Sequence, residues 1–103
     1  MTLDGPAQVK IGGEAVFDLE VTFQGEPYAV KDIKQVKYLV YDATGALVGS
    51  GEASAVEDGM YEVVLGSELT SKLAAGATRI EVIIVPIPVA IPAFTLLDFV
   101  VIP

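Results

Sequence analysis

Asp58-Gly59-Met60-Tyr61-Glu62-Val63-Val64-Leu65 is a tight turn feeding a strand, and every other segment can be placed relative to it. Asp-Gly supplies the positive φ that a reversal needs. After it Tyr61, Val63 and Leu65 alternate with Glu62 and Val64, the period of two expected of a half-buried strand. The segment reads as the second arm of a β-hairpin, with its odd-numbered side chains turned to a core.

Upstream, Asp42-Ala43-Thr44-Gly45 suits a type I turn with glycine in the left-handed position, joining a strand Gln35 to Tyr41 to a partner Ala46 to Glu52. Lys37 on the wet side of the first strand turns Val36, Tyr38 and Val40 inward and leaves Leu39 and Tyr41 outside. Gly49 and Gly51 weaken the partner, which is expected at an edge or at a bulge. The clearest alternation is Ala15, Phe17, Leu19, Val21 and Phe23 against Val16, Asp18, Glu20 and Thr22, with the odd positions facing the core. Before it, Thr2 to Asp4 reads as a short edge strand ended by Gly5-Pro6, and Ala7 to Ile11 resumes extended structure. Gln24 to Pro27 turns the chain, and Tyr28 to Ile33 is a connection whose conformation the pattern leaves open.

Downstream, Ser67 is placed to cap a single helical turn in which Leu69 and Leu73 share a face, with Gly76 ending it. Such a turn would plug one end of a sandwich. Arg79 to Val85 follows as a strand with Ile80, Val82 and Ile84 inward. Pro86 to Pro92 holds three prolines and is expected to be an apolar loop. Phe94 to Ile102 closes the chain, with Leu97, Phe99 and Val101 inward if Asp98 stays in water. The expected core is therefore Phe17, Leu19, Val21, Val36, Tyr38, Val40, Tyr61, Val63, Leu65, Ile80, Val82, Ile84, Leu97, Phe99 and Val101. Ile80 to Ile102 has the length and apolarity of a membrane span, but Glu81, Asp98 and the prolines argue against ~20 helical residues there.

About seven short strands, regular turn signals and one helical turn point to an all-β fold, an immunoglobulin-like Greek-key sandwich over residues 1–103. A chain of 103 residues suffices for one core. Its apolar fraction of 52% and mean hydropathy of +0.58 exceed what that core needs, so apolar surface should remain outside. The charge of -8 and pI near 4.2 repel nucleic acid and anionic lipid.

With neither His nor Cys in the chain, thiol and Ser-His-Asp chemistry, disulfides, and imidazole or thiolate metal sites are excluded. Asn is missing as well, the depletion of labile residues seen in thermophile proteins. Carboxylate pairs such as Asp18 with Glu20, or Glu57 with Asp58, would be needed for a hydrolase, but read first as a solvated strand face and a turn. No calcium loop of alternating acids is present, and Asp42 and Asp58 suit turns in which the side chain bonds its own backbone. Tyr28 and Tyr41 are the aromatics available for stacking on a sugar, which keeps a carbohydrate-binding module as the alternative function. No cofactor, metal site or catalytic residue is expected, and the chain is not expected to be an enzyme.

Gly5-Pro6-Ala7-Gln8-Val9-Lys10-Ile11-Gly12-Gly13-Glu14, Ile33-Lys34-Gln35-Val36-Lys37-Tyr38-Leu39-Val40-Tyr41-Asp42, Gly59-Met60-Tyr61-Glu62-Val63, and Leu73-Ala74-Ala75-Gly76 with Val89-Ala90-Ile91-Pro92 together carry a resemblance over nearly the whole chain. The sequence resembles the immunoglobulin-like domain that follows the solute-binding lobes in prokaryotic, especially archaeal, extracellular substrate-binding proteins of ABC transporters. The resemblance implies a spacer excised from a larger membrane-anchored protein, with solute held by the preceding lobes. Its implied partners are neighbouring domains of the same polypeptide and components of the transporter. The Pro86-Ile87-Pro88 insert departs from that pattern by being more apolar. Once the core is filled, Leu39, Tyr41, Ile83, Val85, Leu96, Val100 and Ile102 are left outside on neighbouring strands. They form the candidate interface, for a neighbouring domain or for weak self-association, unless one strand has the opposite register or a loop covers them.

Overall fold

Alternation along the chain builds the sheets of a computed structural model that describes residues 1–23, 25–87 and 93–103. The strands in order are β1 (Thr2–Asp4), β2 (Gln8–Lys10), β3 (Ala15–Glu20), β4 (Thr22–Phe23), β5 (Glu26–Pro27), β6 (Ile33–Tyr41), β7 (Leu47–Glu52), β8 (Ser54–Glu57), β9 (Met60–Leu65), β10 (Gly76–Pro86) and β11 (Ala93–Ile102). A four-stranded sheet has the order β1-β3-β9-β8, and a five-stranded sheet the order β2-β11-β10-β6-β7. The chain crosses from one sheet to the other after β1, β2, β3, β7 and β9, which gives the immunoglobulin-like sandwich expected from the sequence.

The hairpin at Asp58-Gly59 is present, with β8 as its first arm and Gly59 at φ 79°. Gly45 takes the left-handed position of the Asp42–Gly45 turn at φ 84°. The opening segment divides between the sheets: β1 pairs antiparallel with β3, and β2 pairs parallel with the end of β11. The expected strand Ala15–Phe23 stops at Glu20, and β4 turns away to form a small separate hairpin with β5. A 3-10 turn at Val30–Asp32 occupies the connection left open by the sequence pattern.

Phe17, Leu19, Val40, Val63, Leu65, Ile80 and Val82 have no exposed surface, and the rings of Phe17 and Phe99 pack at 5.4 Å and 49°. Thirteen of the expected core residues are buried; Tyr38 and Leu97 are half-buried at its margin. Tyr38 leans under β7, where a Cβ at Gly51 would lie 2.5 Å from its hydroxyl, and a Cβ at Gly49 would lie 2.5 Å from Leu69. Those glycines make room for packing from below as well as marking the edge. Leu3, Val9, Ile33 and Leu73 join the core from segments too short or too irregular for alternation to reveal.

The helical turn is α1 (Ser67–Thr70), and Leu73 beyond it is buried at the end of the sandwich. Its N-cap is Gly66 rather than Ser67, whose carbonyl instead accepts from Ser71 Oγ at 2.6 Å. Thr70 Oγ1, fully buried, donates to the Gly13 carbonyl at 2.6 Å and ties the turn to the loop before β3. Gly76 opens β10 rather than closing the helix, because the cross-strand pairing begins there with Val101. Strand pairing runs on through Pro86, with a register shift, and Ile87 is exposed; residues 88–92 of the expected apolar loop lie outside the described residues. Among the described residues no helix is long and apolar enough to cross a membrane.

Candidate interface on the five-stranded sheet

The outer face of the five-stranded sheet is set by register. Phe94, Ile83 and Lys37 form one cross-strand row, and Leu96, Glu81 and Leu39 the next. Asp98, Arg79, Tyr41 and Leu47 form a third, followed by Val100 opposite Ala77. All seven expected interface residues lie on this face. Leu96 and Val100 are 44% and 45% exposed, whereas Leu39, Tyr41, Ile83, Val85 and Ile102 are half-buried by their neighbours.

The structure divides what alternation suggested was one contiguous patch. Arg79 Nε donates to Asp98 Oδ1 at 2.7 Å and Nη2 to Oδ2 at 3.2 Å, a fork across the β10–β11 pair. This exposed ion pair separates Val100 and Ile102 from the larger group of Phe94, Leu96, Ile83 and Leu39. It holds the Asp98 carboxyl below its ordinary value and raises the Arg79 guanidinium, chiefly through the hydrogen bond between them. Phe94, 64% exposed, belongs to the larger group and was missed by the sequence reading. Its signal was available, since it shares the parity of Leu96 two residues on.

Beside the ion pair lies an open groove of about 520 Å³ lined by Tyr41, Asp42, Ala77, Arg79, Leu96 and Asp98. Tyr41 is thus placed next to polar groups. Tyr28 is not brought to it: it sits before the other end of β6, its N–H bonded to the Val21 carbonyl at 3.0 Å and its carbonyl accepting from Gly59 at 2.8 Å. Asp42 Oδ1 accepts from Thr44 Oγ1 at 2.6 Å, Thr44 N–H at 2.9 Å and Ala46 N–H at 3.1 Å, so the Thr44 hydroxyl above all holds its carboxyl below the ordinary value. Asp58 departs from the expected self-capped turn, since its Oδ1 accepts from Val30 N–H at 2.9 Å and fastens the hairpin to the 3-10 turn.

The opposite surface is acidic. Asp4, Asp18 and Glu62 oppose one another in a single row across β1, β3 and β9, and Glu20 extends the same face. Among the described residues no group of three or more His, Cys, Asp or Glu side chains is placed to hold a metal ion. The Tyr61 hydroxyl is buried with no hydrogen-bond partner among the described residues. Burial raises its pKa, and the nearby Asp58 charge adds to the effect.

No family model and no curated protein matches the chain. Solved structures resemble it in fold. CopC from Methylosinus trichosporium aligns at a TM-score of 0.61 and 14% identity, over 98% of this chain and 89% of that one. A superoxide reductase (neelaredoxin) from Ignicoccus hospitalis aligns at 0.65 and 11%, over 98% and 79%. A DUF4785 family protein from Legionella pneumophila aligns at 0.68 and 13%, over 96% of this chain but 27% of that one. At these identities the likeness establishes the immunoglobulin-like sandwich and carries no site.

Proposed function

We propose that the chain is a non-catalytic extracellular spacer and docking domain, appended to an ABC-transporter solute-binding protein. The observation that carries this reading is the gathering of Phe94, Leu96, Ile83 and Leu39 on one sheet face of a chain whose other face is acidic. Apolar side chains held outside a filled core suit a neighbouring domain of the same polypeptide. The transporter context draws on the sequence resemblance. The Legionella protein, in which the matching part is 27% of the chain, is a further case of this fold within a longer polypeptide. A sandwich with a long axis of 41 Å would set the distance between what precedes and follows it.

The test replaces Ile83 and Val100 by Lys. Docking in the full-length protein should weaken, read as faster proteolysis between the domains, while the isolated domain keeps its melting temperature. Unchanged docking, or a collapse in the stability of the isolated domain, would overturn the reading. A carbohydrate-binding module is favoured instead by the groove beside Tyr41, where an aromatic ring adjoins an ion pair. Glycan-array binding abolished by Tyr41→Ala would establish that alternative.

A further inference from the structure

Among the described residues, strand β11 is hydrogen-bonded over nearly its whole length on one side only, although β1 of the facing sheet also approaches it. Residues Ala93–Val101 pair with β10, but on the other side β2 reaches Val100–Ile102 alone. The N–H of Val100 donates across that side to the Ala7 carbonyl. By the two-residue repeat, the N–H and C=O groups of Phe94, Leu96 and Asp98 point the same way. Among the described residues nothing hydrogen-bonds them.

Other edges of the two main sheets are blunted. β1 is three residues long and carries Asp4; β7 holds Gly49, Gly51 and Glu52 beside a bulge; β8 carries Glu57 beside another irregularity. The run Ala93-Phe94-Thr95-Leu96-Leu97 has no charge, no proline, no glycine and no register shift. Such an edge is a template for a further strand. Thr95 and Leu97 face inward yet stay half-buried.

We infer that β11 pairs antiparallel with β11 of a second copy, across a two-fold axis at Thr95. An antiparallel pairing of identical segments is self-complementary, as an isologous dimer requires. Centred there, Phe94 opposes the partner's Leu96 on the outer face, and Ala93 opposes the partner's Leu97 on the inner. The outward-pointing backbone groups of Phe94 and Leu96 then meet their counterparts in register. Charge selects this seam: two molecules of charge -8 repel wherever carboxylates meet, whereas this segment is neutral up to Asp98, whose charge Arg79 offsets. The pairing joins two five-stranded sheets into one and is independent of docking on the sheet face.

The experiment is sedimentation of the full chain from micromolar to millimolar concentration, with amide exchange followed by NMR. A dimer should form with concentration, and the Phe94 and Leu96 amides should become protected as it does. Phe94→Lys with Leu96→Lys should weaken association at least about tenfold by setting like charges opposite each other, with the monomer's melting temperature kept. Leu39→Lys, two strands in from the edge, should leave association unchanged. A monomer throughout, association without protection of those amides, loss of association in Leu39→Lys alone, or protection only when a foreign peptide binds a monomeric chain would each overturn it. Where the double variant fails to fold, the exchange measurement on the unaltered chain decides.

Discussion

Phe17 and Val82 have no exposed surface and lie on facing sheets. Phe17→Ala removes a ring packed on Phe99 and should cost about 3–5 kcal/mol; Val82→Ala, losing two methyl groups and leaving a small void, should cost about 1–3 kcal/mol. Urea denaturation of both variants checks the register of the core. Tyr61 points the other way. Its hydroxyl is buried without a partner among the described residues, so Tyr61→Phe should leave stability unchanged or raise it by about 1 kcal/mol; a loss of that size would reveal a bonded water. The Asp42 and Asp98 carboxyls are held below their ordinary 3.8 in the folded chain. Stability linked to them is present above that pH and is lost as pH falls through the lowered folded values. Thermal melts from neutral to pH 2 should therefore decline mainly below about pH 4, and Asp42→Asn, which keeps an acceptor, should flatten part of that decline.

At the scale of strands and turns, alternation against polar neighbours located β3, β6, β9, β10 and β11 and which side of each is buried. It succeeded because one face of each is wet and the other is core. Elements of two to four residues were mostly not delimited, since β4, β5 and β8 are too short for a period to register. Ser67 looked like a cap because its residue type favours that position, but Gly66 takes it and the hydroxyls of Thr70 and Ser71 bond to the Ser67 carbonyl instead. The candidate face was legible as outward parity, while its division by Arg79 and Asp98 depended on which strands are neighbours. Pairing also exposes a cost invisible in the sequence: Asp18 stands between Asp4 and Glu62. Like charges directly opposite destabilise by roughly 0.2–1 kcal/mol per pair. Asp18→Lys should raise the melting temperature, and added salt should stabilise the parent chain more than this variant.

As a whole molecule the sandwich is two-sided, with an acidic row on one sheet and apolar groups interrupted by charges on the other, and its opening segment is divided between the sheets as β1 and β2. That division brings residues 8–10 beside residues 100–102, running parallel. Because the two strands point the same way, tension applied to the two ends of the chain pulls them past one another along their length. The bonds from Val100 N–H to Ala7 and from Ile11 N–H to Ile102, at 2.9 and 2.8 Å, are then loaded together in shear, where an antiparallel terminal hairpin would yield one bond at a time. A domain strung between two others would resist stretching through this short seam, and single-molecule extension of the chain by its ends should show one abrupt rupture rather than a gradual unzipping.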